Sequence, residues 1–482
     1  MRRKFFTNLS LLLFLNLLIK PFWIFGIDRT VQNVVGAEEY GLYFSLFNFS
    51  LLLNMLLDLG ITNYNNRNIA QNSQLLSKSL ASIVSLKFLL AVFYSLITIV
   101  AAIIVGYEGR QIYLLLFLIF NQFVASFILY LRSNLSGLHY FKTDSILSVL
   151  DRTIMIVICG LLLWGGITSN EFKIEWFVYA QTAAYLITLM LAFAIVYKKA
   201  QFLKLKFDRT YFIAILKKSY PFALLSLLMA FYYRIDSVML ERMLPDGKEQ
   251  AGIYAQGFRI LDAAAMFAFL YAGLLLPMFS RMIKHKEPIN QLTLFSFFLL
   301  IIPVIGITFA SFFYKTELID LMYHQHVETS ASIFGILILC FIGISTSYIF
   351  GTLLTANGNL KALNILAVGG VVINIVLNLV LIPKYFALGS AIASLVTQTF
   401  IAIIQVILGK QIFHFSMNWK RIGILILFIG GVYLFSNLSI GWSFNWIYKF
   451  IAILVFAMVL AFILRLINLK GLYDLIKNGD EH

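Results

Sequence analysis

The sequence predicts an all-α polytopic membrane protein with about 14 transmembrane helices. Hydrophobic residues make up 61% of its 482 residues and charged residues only 12%, whereas soluble domains contain roughly 45–50% and about 25%. Apolar segments of about 20 residues are long enough to cross the hydrocarbon core as helices. The connections between these segments are too short to fold on their own, so any functional site must lie within or across the bilayer.

The apolar segments follow one another along nearly the whole chain. The first resembles a signal peptide, but Lys20, Pro21 and Trp23 stand where a small-residue cleavage site would be, so we retain it as a span. The longest segments exceed the length of an upright helix, and tilt would accommodate the surplus. The predicted spans are 8–34, 39–66, 76–105, 111–137, 144–165, 174–197, 210–240, 250–280, 289–313, 329–355, 361–382, 386–409, 421–437 and 446–466.

Basic residues are unequally divided between the two sides of this predicted topology. With the N-terminus in the cytoplasm, the inner loops and flanks contain 24 lysines and arginines, and the outer ones contain seven. Such an excess is the positive-inside signal and predicts that both termini are cytoplasmic. The net charge of +15 therefore indicates membrane orientation rather than nucleic-acid binding.

The most basic loop, Tyr197–Thr210, divides the first twelve spans into two sets of six. Two further features favour a duplicated bundle: Glu39–Tyr43 (Glu-Tyr-Gly-Leu-Tyr) is echoed by Gln250–Tyr254 (Gln-Ala-Gly-Ile-Tyr), and Pro21 is matched by Pro221. Prolines at corresponding positions point to helices that bend around a central site, so both are hinge candidates. We predict an N-lobe at 1–200, a C-lobe at 201–412, and two further spans with a tail at 413–482. Alternatively, the loop is only an orientation signal on anionic lipid.

Charged residues inside the spans are the strongest indication of a site. Each costs about 2.5–3.5 kcal/mol at a helix centre unless it pairs, snorkels or faces water. We interpret four of the cations as lining a water-filled cavity that would attract an anion such as pyrophosphate: Lys20, Arg29, Arg234 and Arg259. Buried ion pairs are the competing interpretation, above all for Asp58, Asp151 and Arg152.

Three acids inside the spans, Asp28, Asp58 and Asp236, are the candidates for coupling to an ion gradient. The chain contains no P-loop, GxSxG, HExxH or glycine-rich dinucleotide motif, which argues against transport driven by bound ATP. We expect a protein that is not an enzyme and that has neither a cofactor nor a metal site.

Several motifs resemble those of the Wzx-type oligosaccharide flippases. They are Val35–Tyr43 followed by Leu57–Ile61, Tyr233–Leu240 followed by Ala251–Ala255, and Ile373–Asn378 running through Ile382–Tyr385 to Gly389–Ala393. The resemblance extends over essentially the whole chain, with the motifs in the family's order. One departure is Phe386, where the family usually has glycine.

That family is grouped with the MATE drug exporters and the lipid II flippases, and the resemblance implies their architecture. Two six-helix lobes would form a V around a central cavity, with two additional C-terminal helices. The implied activity is alternating-access transport of undecaprenyl-pyrophosphate-linked oligosaccharides across the bacterial inner membrane, together with enzymes of surface-polysaccharide assembly. Arg259 matches a cavity arginine of the lipid II flippases, and Asp28-Arg29 lies near their charged pair in reversed order.

Two other functions remain open. A MATE-like exporter of small cationic molecules is less compatible with a cavity rich in arginine and lysine, since cationic substrates need acidic partners. A membrane-embedded polysaccharide polymerase or glycosyltransferase would need a sizeable region outside the bilayer, and the longest outer connection, about 314–328, is short.

Overall fold

Every regular element in the described part of the chain is a helix. The computed structural model describes residues 14–62, 65, 69, 74–166, 171–200, 209–415 and 419–466. Both predicted cytoplasmic termini, and residues 201–208 of the predicted linker, lie outside these ranges. The chain divides into two units, Met1–Ala255 and Gln256–His482, whereas the predicted lobe boundary at 200/201 stays a prediction.

Thirteen α-helices have both ends within the described residues. They are α1 (Arg29–Leu52), α2 (Leu75–Val105), α3 (Arg110–Gly137), α4 (Phe141–Trp164), α5 (Ile174–Ala200), α6 (Arg209–Met243), α7 (Gly247–Lys284), α8 (Asn290–Phe313), α9 (Lys315–Met322), α10 (Val327–Ala356), α11 (Leu360–Phe413), α12 (Trp419–Ile440) and α13 (Trp446–Ile463). In the first unit, α3 packs against α5, and α1 packs against α6. In the second unit, α10 packs against α11 and α8, and α8 also contacts α12 and α13.

Eleven of the described helices are long and apolar enough to cross a membrane. The longest of them, α11, spans 54 residues and is bent at Phe386, so each of its two halves exceeds the roughly 20 residues that a crossing requires. The prediction of an all-α polytopic membrane protein is confirmed.

The predicted first span is irregular near its proline. Residues 14–22 are helical, Trp23–Asp28 form a π-helical turn, and α1 follows directly. Pro21 has no N–H to donate to the preceding turn, and the π-helical turn that follows is of the rare single-turn kind found inside α-helices. Gly36, with φ 82° and ψ 170°, then bends the chain between the first and second predicted spans. By contrast, α6 continues through Pro221 as one helix.

The predicted second span, 39–66, is not the continuous helix that the hydropathy suggested. Regular α-helix ends at Leu52, a 3₁₀ turn occupies Asn54–Leu57, and Leu59 and Gly60 have positive φ angles of 45° and 82°. Hydropathy does not detect such a break, because the residues around it are as apolar as those of an intact helix. The break lies beside a buried lysine that is described below.

Residues that were predicted to lie on the outer side meet at one end of the first unit. Arg110 contacts Glu39 at 2.6 Å and Glu175 at 2.7 Å, while Arg242 donates to the Gly106 carbonyl at 3.0 Å. These residues belong to four different predicted outer connections and their flanks. Their meeting is what an alternating topology requires.

The backbone at the Phe386 bend is strained, and this strain can be tested. Its φ of 53° and ψ of −136° fall in a region that only glycine adopts readily, at a cost of about 1–3 kcal/mol for other residues. Because the ring is 47% exposed, little packing would be lost on its removal. We expect Phe386→Gly to raise the free energy of unfolding by about 1 kcal/mol, after allowing for the greater freedom of glycine in the unfolded chain.

Thermal unfolding of the purified protein in detergent checks this prediction, with Tyr385→Gly as the matched control. Tyr385 is similarly exposed, at 52%, but it lies in regular helix without a positive φ. Its replacement by glycine should therefore lower stability by about 1 kcal/mol. Equal destabilisation by the two substitutions would refute the strain.

Candidate functional site

Two of the predicted coupling acids are buried and each accepts a hydrogen bond from a tyrosine. The hydroxyl of Tyr40 donates to Asp28 at 2.7 Å, and that of Tyr254 donates to Asp236 at 2.9 Å. Asp28 is 2% exposed and Asp236 1%. A buried carboxylate requires such donors, since an unpaired charge in an apolar environment is costly. Both acids therefore lie in shielded surroundings, each with a tyrosine hydroxyl as donor.

A polar connection between α1 and α6 holds Arg234, one of the four predicted cavity cations. Asn48 donates to the Ser237 hydroxyl at 2.9 Å, and Arg234 donates to the Asn48 side-chain carbonyl at 3.4 Å. The Arg234 guanidinium also lies 5.0 Å from the centre of the Tyr233 ring. Asn48 and Ser237 are both buried, whereas Arg234 is half-buried. The connection therefore joins α1 to α6 through a half-buried arginine.

The helices α1 and α7 cross at unusually short distance at the two glycines of the echoed motif. A Cβ on Gly252 would lie 1.9 Å from the Ala37 carbonyl oxygen, and one on Gly41 would lie 1.8 Å from the Lys248 carbonyl oxygen. Only glycine allows two backbones to approach so closely. Gln32 secures the crossing by donating to the Gly252 carbonyl at 2.9 Å.

A cluster of alternating charges, here called the Lys20 cluster, comprises Lys20, Arg132, Asp144, Asp151 and Arg152. Arg132 pairs with Asp144 at 2.7 Å and Arg152 with Asp151 at 3.6 Å. Lys20 is half-buried and interacts electrostatically with Arg152, Asp151 and Arg132. The cluster therefore brings three cations and two acids together.

Arg152 is the functional candidate that the sequence interpretation placed among structural ion pairs. Its guanidinium lies 5.3 Å from the Trp23 ring and donates to the Tyr185 hydroxyl at 3.3 Å, which holds it beside the irregular first span. Adjacent residues point in different directions on a helix, yet Arg152 both pairs with Asp151 and contacts Trp23 and Tyr185 on other segments. The only signal available in the sequence was an arginine inside a span.

The two remaining predicted cations are Arg29, in the first unit, and Arg259, in the second. Arg29 is half-buried at the start of α1. Arg259 is half-buried in α7, where it belongs to the second unit together with Asp262, three residues further on.

Asp58, the third predicted coupling acid, forms an ion pair with a lysine for which the sequence offered no local partner. The Lys87 ammonium lies 2.5 Å from the Asp58 carboxylate, and its side chain is fully buried. Asn54, which the sequence places one turn before Asp58, donates to the Gln122 side chain at 3.0 Å. Within the described ranges, no group of three or more His, Cys, Asp and Glu residues could hold a metal ion.

Known structures of similar fold are membrane transporters. The chain is 15% identical to a multidrug resistance MATE family transporter of the MOP superfamily in its inward-facing conformation, with a TM-score of 0.64 over 81% of this chain and 94% of that one. It is 17% identical to the lipid II flippase MurJ in an inward closed conformation, with a TM-score of 0.62 over 98% of this chain and 99% of that one. At these identities the likeness concerns the fold.

Two comparisons of sequence agree with that fold. An uncharacterized membrane protein of Methanocaldococcus jannaschii, MJ1375, is 26% identical over 399 residues, which cover 77% of this chain and 90% of the relative. Residues 12–283, more than half of the chain, match the family described as "Polysaccharide biosynthesis protein". The chain therefore belongs to the polysaccharide biosynthesis protein family.

Proposed function

We propose that this protein is a flippase for undecaprenyl-pyrophosphate-linked oligosaccharides. It would carry them from the cytoplasmic to the outer leaflet of the bacterial inner membrane, with both termini in the cytoplasm, for the synthesis of O-antigen, capsule or exopolysaccharide. The observation that carries the proposal is the excess of half-buried cations inside apolar helices of a polysaccharide biosynthesis protein. Enzymes of polysaccharide assembly are the expected partners.

The cationic side chains would bind the pyrophosphate of the lipid carrier. A phosphate charge cannot leave water for hydrocarbon without compensation, and Lys20, Arg29, Arg234 and Arg259 would provide it as the headgroup crosses. The Lys20 cluster adds Arg152 to this set. Guanidinium groups are well suited to the task, because their planar donors bind phosphate oxygens in pairs.

Movement would follow alternating access between the predicted lobes, with the polyprenyl chain remaining in lipid. The irregular helix after Pro21 is the hinge candidate with a visible conformational break, and Pro221 is the matched candidate. An inside-negative potential favours outward movement of an anion by about 2.3 kcal/mol per charge and 100 mV. Asp28 and Asp236 are the candidates for additional coupling to a proton or sodium gradient.

Flipping of a fluorescent undecaprenyl-pyrophosphate oligosaccharide in proteoliposomes tests the proposal. We expect Arg152→Ala, Arg234→Ala and Arg259→Ala each to reduce the initial rate at least tenfold, since each removes a charge that offsets phosphate. Arg281→Ala is the matched control, because Arg281 is exposed near the end of α7. It should retain the wild-type rate within about twofold. The thermal midpoint of each variant separates lost transport from lost folding.

Three outcomes would contradict the proposal, the first in the role of the arginines and the other two in the function itself. Flipping that is unaffected in all three variants would return these arginines to structural ion pairs. Absence of flipping for every lipid-linked sugar, combined with export of a small cationic dye, would favour the MATE-like exporter. Formation of longer polysaccharide chains by the purified protein would instead favour the polymerase.

A further inference from the structure

The break in the second span exposes backbone carbonyls that side chains from α2 and α3 then satisfy. In a continuous helix the carbonyls of Ser50 and Leu57 would accept N–H groups four residues further on. Here the Tyr94 hydroxyl donates to the Ser50 carbonyl at 2.7 Å, and Lys87 donates to that of Leu57 at 3.0 Å. A broken helix at membrane depth is stable only when its freed polar groups are satisfied in this way.

The Lys87 ammonium lies inside a complete oxygen shell. It donates to the Leu57 carbonyl at 3.0 Å, to the Asp58 carboxylate at 2.5 Å and to the Ser126 hydroxyl at 3.0 Å. These acceptors match the three donors of an ammonium group. Thr62 donates to Asp58 through both its hydroxyl and its backbone N–H, and so orients the carboxylate. Lys87 is 0% exposed.

The three oxygens around Lys87 are of the types that coordinate monovalent cations. The shell combines one carboxylate, one carbonyl of an unwound helix and one hydroxyl, and unwound carbonyls coordinate alkali cations in transporters with discontinuous helices. Hard cations prefer oxygen ligands, and the single carboxylate balances a single positive charge. An ammonium group is a compact point charge that satisfies the same requirements.

We propose that the break at 53–60 forms a cation site whose permanent occupant is the tethered ammonium of Lys87. In the native protein the site is filled irrespective of the surrounding salt. When the side chain is shortened, a sodium or potassium ion would enter the same oxygen shell. The proposal does not depend on the identity of the transported molecule.

The variant Lys87→Ala tests this directly through its response to alkali cations. Purified protein is unfolded thermally in sodium chloride, potassium chloride or N-methyl-D-glucamine chloride at equal ionic strength. The buried free thiols of Cys159 and Cys340 report unfolding through a thiol-reactive dye. We expect sodium or potassium to raise the midpoint of Lys87→Ala by at least ~3 °C over N-methyl-D-glucamine, because a ligand that binds only the folded state stabilises it.

Three comparison proteins make the result specific to this site. The wild type has the site filled, Asp58→Asn/Lys87→Ala lacks the carboxylate, and Lys87→Met fills the space with an uncharged chain. In each of them, alkali cations should raise the unfolding midpoint by at least ~3 °C less than they raise that of Lys87→Ala. An equal response in all four proteins would overturn the proposal. A second result would also overturn the proposal: in sodium-containing medium the double variant accumulates in cells and Lys87→Ala does not. A free sodium ion should have replaced the ammonium in Lys87→Ala and allowed it to fold.

Discussion

Adding one methyl group at Gly252 should destabilise the protein by about 2–4 kcal/mol. The new Cβ would lie 1.9 Å from the Ala37 carbonyl oxygen and 2.7 Å from its carbon, so α1 and α7 must separate by more than an ångström. Separation weakens the hydrogen bond from Gln32 to the Gly252 carbonyl and opens a gap in close packing. Gly41→Ala should have a similar effect at the other side of the same crossing.

The matched control for Gly252→Ala is Gly273→Ala, on the same helix. A Cβ at Gly273 meets no atom within 4 Å, and replacing an exposed helical glycine with alanine stabilises by roughly 0.5–1 kcal/mol. The two substitutions should thus have opposite signs in thermal unfolding. If Gly252→Ala is as stable as the control, the crossing is not as close as described.

Replacing Lys87 with methionine should cost about 3–5 kcal/mol, because it leaves the Asp58 carboxylate without its cation in a low-dielectric environment. The Leu57 carbonyl and the Ser126 hydroxyl lose a donor at the same time. Asp58→Asn/Lys87→Met removes both charges and should recover at least half of the loss. The double-mutant cycle should therefore give a coupling energy of about 2 kcal/mol or more.

Lys361→Met is the control for the loss of a lysine in general, since Lys361 is exposed at the start of α11. This substitution should change the free energy of unfolding by no more than about 0.5 kcal/mol. Additive effects of the Asp58 and Lys87 substitutions would show that the two groups do not stabilise each other.

The charged residues show how far sequence interpretation reaches within a site. That Lys20 and Arg152 need a partner or water follows from the cost of charge in hydrocarbon. Which partner each would find did not follow. Lys87 and Asp58 are 29 residues apart, and pairing them requires the relative rotation of two helices.

Irregular backbone was the other feature that the sequence predicted only in part. The bends at Gly36 and Phe386 coincide with predicted boundaries between spans, because turns there interrupt the apolar pattern. The break in the second span and the short helix α9 (Lys315–Met322) were missed. The break changes no hydropathy, and α9 is shorter than the windows in which helical periodicity is recognised.

The sequence by itself determined that this is a helical membrane protein, where most of its spans lie and that charge is concentrated inside some of them. Those properties follow from composition and period, since lipid accepts only apolar helices with satisfied backbones. Only the tertiary structure decided that Gly41 and Gly252 form one crossing, that Arg152 joins Lys20, and that Lys87 fills the break beside Asp58. Each of these contacts depends on how one helix is rotated and how deep it lies against another. Apolar helix surfaces permit many such arrangements, and the packing of the side chains selects one of them.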